Sequence, residues 1–545
     1  MPDSSSRSQV AITKHKMLQR TRSLWSAASL LLPCIFQHIA SSSLPNETAI
    51  SSQQLPGILN ASSFQLPSLS SIFPSSNSSN KVLDGSKASA PPAPITPLSP
   101  DAVAKQSDFD RKNIPGRPVH TAGAGAYGTF TVTTNFAQSQ TIMDLFSNVG
   151  QSTPVTVRFS NALGEKGSFD TARNVRGFAM KFQTKQGAWD LISNNAPVFF
   201  IRDPAKFPPL IQSQSRDPSN NLGNADPAFN YFPNNPETMN MFLRIFSSAG
   251  VSRGWIHTNA WSINTYRWYK SDGTWSYVRI NFETKQGVLN FTAAEQAQIT
   301  DPSYSARELY NSIQSGQFPR WTMYAQVLSP TDAENFRYNV LDPTKEWPTS
   351  LVVPQEIGVL ELNKNPANYF TEVEKLAFSP ANVVPGWAAS QDPVLQMRLF
   401  AYSDSSRYRL GTSSPTRIMK RFLPNPPVLN TPGQILKNSA KILTNSAQSQ
   451  NTSTNTAPQY DSEHSLWINQ ALQSMNQVSE IDFEQPGFFY GNLTRDQRSE
   501  LIQNIAGGLS VVSSPDIQAN LISWLAKASP ELSQQVSSKL KSMTG

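Results

Sequence analysis

A single cysteine, Cys34, stands in a chain of 545 residues, which excludes an internal disulfide framework. Histidine is scarce as well: His15, His38, His120, His257 and His464 are the full set. Two of them fall in an atypical N-terminal region and one in the tail, so a His-rich metal cluster cannot be assembled. Metal chemistry would have to come through a cofactor or other ligand types. Charged residues make up only 15% of the chain, against the ~25% usual in soluble domains. The shortfall lies in Ser-, Asn-, Gln- and Pro-rich stretches near both ends. The net charge of +7 is spread along the chain as on a solvated surface, so no nucleic-acid partner is expected. There is no run of 18 or more apolar residues, so no stable membrane span is expected.

The ends and the middle differ in character. Lys14, Lys16, Arg20 and Arg22 precede a short apolar stretch from Leu24 to Phe36, and small residues follow at Ala40, Ser41 and Ser42. This three-part pattern marks residues 1–42 as a targeting segment and predicts export, periplasmic or secreted. A cytoplasmic protein with an uncleaved tail is the alternative. Residues 43–105 read as a Ser/Pro-rich disordered linker, and 106–415 as the main globular core. Residues 416–475 read as a low-complexity wrapping segment, and 476–545 as a small helical domain with apolar spacing in 495–506, 515–528 and 531–543. Within the core, 129–133 and 154–160 alternate as strands do. Val155, Val157 and Phe159 share one face of the second strand, and Thr156, Arg158 and Ser160 the other. Residues 196–201 form another strand candidate, and helices are expected over 236–248 and 392–402.

Three segments carry chemistry. Arg398 and Tyr402 are i,i+4 neighbours on a predicted helix, with Arg409 two turns further on the same face. A phenol with a pKa near ~10 is a poor anionic ligand unless a ferric ion and a guanidinium favour the phenolate. Spacing alone favours an amphipathic helix end with solvated arginines, since i,i+4 pairs are routine. His120 is followed by a Gly/Ala-rich run to Gly128, where small side chains would let a flat macrocycle approach the backbone. A neutral imidazole can take a proton from one oxygen of a peroxide and return it to the other. Asn194-Asn195 precedes Pro197-Val-Phe-Phe, and an amide there offers hydrogen bonds without titrating; a simple turn would look the same.

Together these segments resemble the haem catalases. The match runs in order through residues 109–411 and resumes at 482–490 and 504–507. Its most specific part is Arg398-x-x-x-Tyr402-x-Asp404-Ser-x-Arg407-x-Arg409-Leu-Gly411. It is joined by Phe109-Asp-Arg111 to His120, Val157-Arg-Phe-Ser160 and Asn194-Asn195-x-Pro-Val-Phe-Phe. The resemblance implies an α+β fold: an antiparallel β-barrel haem domain with a wrapping segment and a small C-terminal helical domain. It implies a catalase acting on hydrogen peroxide through an oxyferryl intermediate in response to oxidative stress. A catalase-like peroxidase or hydroperoxide-converting enzyme is the alternative. The implied cofactor is haem b, with Tyr402 as the axial iron ligand and Arg398 beside it. His120 would be the acid/base, aided by Asn194 and held by Ser160. Arg117, Arg158 and Arg409 would take the propionates, and Phe199 and Phe207 would line the pocket. A homotetramer is implied too.

The chain departs from the family pattern in several places. Gly116 stands where Glu or Gln is usual, and Asn174 replaces an Asp of the access channel, which weakens the field there. The usual N-terminal arm is replaced by the linker. At the positions of the family's NADPH site, Ser247 and Asn259 are kept. Asn240, Ala249, Glu283 and Thr349 are not the expected residues, and no tight NADPH binding is expected.

Overall fold

The computed structural model describes residues 100–110, 113–411 and 457–544. The targeting segment and most of the linker and wrapping segment lie outside the described residues. A helix, Pro100–Asp110, overlaps the end of the stretch read as linker and belongs to a separate unit from the remainder.

The core of the main unit is a barrel of antiparallel strands. Its strands are β1 (Gly123–Val132), β2 (Ser152–Asn161), β3 (Arg176–Thr184), β4 (Gly187–Asn194), β5 (Ala260–Trp261), β6 (Tyr266–Tyr269), β7 (Trp275–Thr284), β8 (Arg320–Leu328), β9 (Gln355–Lys364) and β10 (Trp387–Ala389). The order β7-β5-β4-β3-β2-β1-β9-β8 closes on itself through a β7–β8 pairing, while β6 and β10 extend sideways from β7. Closure removes exposed strand edges. The alternation read in β2 is present. Val155, Val157 and Phe159 join Phe130, Phe178, Trp189 and Trp321 in the barrel interior, and Arg158 and Ser160 turn outward to line a cavity.

Two expectations need correction. Residues 196–201 are buried, apart from the half-buried Pro197 and Phe199, but form no strand. β4 has already ended at Asn194, and Pro197 cannot donate to a ladder. Phe199 N donates instead to Pro343 O at 2.7 Å. The Gly/Ala run after His120 is strand β1 itself, and its glycines answer to protein neighbours. A Cβ on Gly123 would lie 2.3 Å from Phe159 O, and one on Gly128 1.9 Å from Glu361 O.

The expected helices are found over Met239–Phe246, after a short 3-10 turn, and over Pro393–Leu410. The C-terminal helices span Arg495–Leu509, Pro515–Ala526 and Pro530–Thr544. Two more, Ser462–Ser474 and Ile481–Asn492, had no clear apolar spacing. The helices from Ile481 onward share one apolar cluster with Phe229, Phe232, Phe242 and Phe246; Trp524 meets the Phe242 ring edge-on at 5.2 Å.

A buried ionic cluster joins this helical region to the barrel. Arg202 Nη1 donates to Asp482 Oδ1 at 2.6 Å and to Asp342 Oδ2 at 3.0 Å, and Lys345 Nζ reaches Asp482 Oδ1 at 2.7 Å. Burial works against both carboxylates, yet Lys345 and Arg202 outweigh it and hold them below the usual range. Removing one member strands the others in low dielectric. Asp482→Asn should therefore cost about 3–5 kcal/mol of stability in equilibrium denaturation; a loss under about 1 kcal/mol would show that the cluster is dispensable.

Candidate active site

The cavity holds about 630 Å3. The barrel wall contributes Arg158, Ser160, Gly177, Ala179, Ile192 and Asn194, and the Pro393–Leu410 helix contributes Arg398, Tyr402 and Arg409. Phenylalanines complete it, among them Phe199, Phe207, Phe232 and Phe246. All the residues singled out in the sequence meet here: His120, Asn194, Ser160, Arg117, Arg158, Phe199, Phe207, Arg398, Tyr402 and Arg409.

Strand register explains how. Ser160 pairs with Gly177 and Gly177 with Asn194, so the three lie in one row across β2, β3 and β4. The imidazole of His120 lies over the middle of that row. Its Nδ1 sits 2.9 Å from Ser160 Oγ. A Cβ on Gly177 would come within 2.6 Å of both Nδ1 and Oγ, so only glycine leaves room for the ring. His120 has φ of 62°, a left-handed conformation rare for a non-glycine residue and common where function demands strain. Its N–H is anchored to Ala162 O at 2.9 Å. Burial first, then the charges of Arg158, Arg398 and Arg117, pull the His120 imidazole down to about 3. The ring is therefore neutral at working pH.

Asn194 and Asn195 divide their labour. Asn195 Oδ1 accepts from Arg176 N at 2.7 Å, which makes it a turn residue, while Asn194 lines the cavity. Asn194 also provides the sole register pair between β4 and β5, with Trp261.

On the helix wall, Arg398 Nη2 donates to Tyr402 Oη at 3.2 Å and to Ile192 O at 3.3 Å. Nη1 donates to Asn264 Oδ1. Asn264 Nδ2 in turn donates to Asp392 Oδ2 at 2.7 Å, and Asp392 Oδ1 caps the helix by accepting from Val394 N and Leu395 N. The helix cap and the Arg398–Tyr402 pair are thus one hydrogen-bonded chain. Phe199 and Phe207 face each other with ring centres 6.5 Å apart.

A third group gathers cations. Arg117 Nη2 and Arg409 Nη2 both donate to Leu376 O, at 2.8 and 3.0 Å, and Arg409 Nη1 donates to Glu374 O at 2.6 Å. The Glu374 carboxylate lies 3.5 Å from Arg117 Nη1. Arg158 Nη2 donates to Thr121 O at 3.1 Å, but Arg158 Nε and Arg117 Nη1 are buried without a hydrogen-bond partner. Desolvation, with the like charge of Arg117 next, draws Arg158 down to about 9. These groups are built to receive negative charge.

Asn174 also lines the cavity. Its amide is taken up by a turn, accepting from Leu163 N at 3.1 Å and donating to Leu163 O at 2.9 Å. Glu374, Gly177, Asn264 and Asp392 were not foreseen. They stand far along the chain from their partners, and only the sheet register or the packed fold brings them near.

A catalase family profile matches residues 88–460, and a second, described as catalase-related immune-responsive, matches 479–540. A catalase of the Onchocerca volvulus endobacterium is 37% identical over 84% of this chain and 95% of its own length, as is catalase A of Pseudomonas putida. Solved structures of a fungal catalase and of catalase A from Saccharomyces cerevisiae superpose with a TM-score of 0.70. They are 31% and 30% identical and cover 85% and 84% of this chain, and 95% and 97% of their own. The chain belongs to the catalase family. It is an enzyme that decomposes hydrogen peroxide to water and dioxygen.

Two predictions follow from the geometry. Gly177→Ala should push the His120 ring aside and lower kcat by about 100-fold, since a displacement near 1 Å costs that much; unchanged kcat would show that the ring has slack. A depressed His120 stays unprotonated well below its ordinary 6.5. The kcat/KM profile should therefore show no acid limb near pH 6.5. The unfolded imidazole binds a proton more readily than the folded one, so the linked stability is full above pH 6.5 and lost as pH falls toward 3.

Proposed function

We propose that the cavity binds haem b and that Tyr402 would hold its iron. Arg117, Arg158 and Arg409 take the propionates. The observation that carries this reading is the buried Arg158 Nε, without a hydrogen-bond partner, beside Arg117 and Arg409, in a cavity whose other wall holds Arg398 against Tyr402. Three arginines suit a dianionic edge, and a phenolic oxygen met by a guanidinium suits a ferric ion. When bound, haem supplies the iron redox chemistry that cleaves the peroxide O–O bond and oxidises a second peroxide to dioxygen.

The chain's own groups handle protons and position. In the tautomer that donates Nδ1–H to Ser160 Oγ, His120 Nε2 is bare. It takes the proton from one peroxide oxygen and hands it to the other, which leaves as water. Asn194 offers an amide that holds peroxide without competing for that proton. Arg398, fixed by Asn264 and Ile192 O, keeps a positive charge on the Tyr402 oxygen. Phe199 and Phe207 narrow the approach and keep bulk water out. NADPH is left out of this reading: the Asn240 amide is already engaged by Gln485 and Arg244, and Glu283 would repel a phosphate.

A homotetramer and export by residues 1–42 belong to the same proposal. They are supported by the family resemblance and the N-terminal pattern, and are tested by sedimentation and by N-terminal sequencing of the mature protein.

Haem-loaded protein should show a strong Soret band and release one dioxygen per two hydrogen peroxides. Tyr402→Phe should abolish the Soret band or shift it with loss of nearly all oxygen release. Consumption of dyes or lipid hydroperoxides without oxygen would replace this function with a hydroperoxide-converting one.

A further inference from the structure

Away from the cavity lies a buried hydrogen-bonded chain that the peroxide chemistry does not use. Tyr277, on β7 and fully buried, has its hydroxyl 2.8 Å from Nε2 of His464. Nδ1 of the same imidazole is 2.6 Å from Glu334 Oε1. Asp461 caps the helix that carries His464 by accepting from its N–H at 2.7 Å. Aromatic rings enclose the imidazole: Trp467 stacks on it at 4.9 Å, with Trp275 at 5.1 Å and Tyr460 at 5.7 Å. Arg267 covers the Tyr460 and Trp275 rings at 4.2 and 5.3 Å. With Nδ1–H donated to Glu334, Nε2 can only accept, so the Tyr277 O–H must donate to it. A buried phenol so placed cannot simply ionise, because a lone phenolate in this surround would be uncompensated. It can lose an electron if its proton moves along the hydrogen bond at the same time.

Oxidisable rings stand on both faces of β6 and β7 between this chain and the Tyr402 wall. Tyr266 on β6 lies within the electrostatic reach of Arg398 and Tyr402. Its ring packs on Trp387 at 4.6 Å. Trp387 is the register partner of Trp268, and Trp268 stands opposite Ser276, whose neighbours in β7 are Trp275 and Tyr277. Tyr266, Trp268 and Trp387 lie in the barrel-side cluster and Tyr277 in the cluster on the opposite face, so the last step crosses the β6–β7 pair, whose strands stand about 4.8 Å apart.

We propose that Tyr277 is a redox-active tyrosine that takes up oxidising equivalents from the peroxide site, with His464 and Glu334 as its proton relay. The proposal rests on the haem reading above. One electron leaves Tyr277 and fills an oxidising equivalent left at the cavity by hydrogen peroxide, the oxidant that the established activity supplies. The phenolic O–H bond breaks, the proton passes to His464 Nε2, and the resulting imidazolium is held by the Glu334 carboxylate. The product is a neutral tyrosyl radical, buried behind His464 and the partly exposed Glu334, and an external one-electron donor docking over Glu334 can reduce it and return the proton. This gives the chain a one-electron donor site separate from the peroxide channel.

The test is freeze-quench electron paramagnetic resonance of the holoenzyme mixed with hydrogen peroxide without a donor. Wild type should give a tyrosyl signal that changes when the protein carries ring-deuterated tyrosine. Tyr277→Phe should lose that signal while oxygen release and the Soret band are retained. Glu334→Gln, on a side chain 36% exposed and therefore tolerant of change, should reduce the signal severalfold. A merely structural triad would shift the unfolding midpoint and leave the signal in place. The proposal is overturned if wild type shows a Soret band and oxygen release but no tyrosyl signal, or if the signal persists unchanged in either variant. Absence of the Soret band would instead overturn the haem reading.

Discussion

Everything around the cavity depends on how buried positive charge is compensated. Five arginines line it, Arg117, Arg158, Arg173, Arg398 and Arg409, against one lining carboxylate, the exposed Asp404, and the buried Glu374 behind Arg117. Taking a guanidinium out of water is costly unless its hydrogens are met. The fold meets them mostly with backbone carbonyls. The turn through Val373, Glu374 and Leu376 offers its oxygens to Arg117 and Arg409, and Arg173 donates to Ile245 O and Ser247 O. Carbonyl dipoles satisfy hydrogens but do not neutralise charge, so the cavity remains a place where an anion is welcome and a second cation is not. The neutral state of His120, due first to its burial, is reinforced here, since an imidazolium among these groups would also be repelled. The positive charge of Arg398 is aimed at the oxygen of Tyr402.

Seen from the sequence, the site was legible where its logic was local. The i,i+4 relation of Arg398 and Tyr402 needs only a helix, and Arg158 beside Ser160 needs only a strand. What was not legible was the row of Ser160, Gly177 and Asn194, which exists through the register of three strands. Register is set by hydrophobic faces and turns acting together, and no single segment announces it. Gly177 illustrates the cost: inside Arg-Gly-Phe it reads as an ordinary strand residue, yet it makes the space for the His120 ring. The Asp392–Asn264–Arg398 chain was hidden for the same reason, because Asn264 stands 128 residues from Asp392.

The errors have physical causes as well. Residues 196–201 have the apolar content of a strand, but burial alone does not make one; a ladder needs donors and a neighbour, and Pro197 and the end of β4 remove both. The helix Ile481–Asn492 escaped notice because Pro486, Gly487 and Gly491 punctuate it. It is held by contacts its own sequence does not show: Asp482 in the Arg202 cluster, and Gln485, which accepts from Asn240 Nδ2 and from Glu346 N. Helix Ser462–Ser474, inside a stretch read as low-complexity, is likewise fixed by His464 and Ile468 against the barrel. Tertiary partners decided both.

The C-terminal helices therefore have a role beyond packing. They close the apolar cluster that contains Phe232, Phe242 and Phe246, residues that also line the cavity. One side of the cavity is thus dry hydrocarbon, and the other carries guanidinium groups with a phenol and an imidazole. A low-dielectric wall strengthens every charge interaction on the polar side. Unseating the helices, for instance at Arg202 and Asp482, would let water reach the phenylalanines and weaken the field on Tyr402 and His120 without altering either residue. The weak β4–β5 seam, a single pair at Asn194, makes the same point from the barrel side. The position of the cavity amide relies on the packing around it more than on its own strand ladder, so the electrostatics of the site and the burial of the helical region form one linked equilibrium.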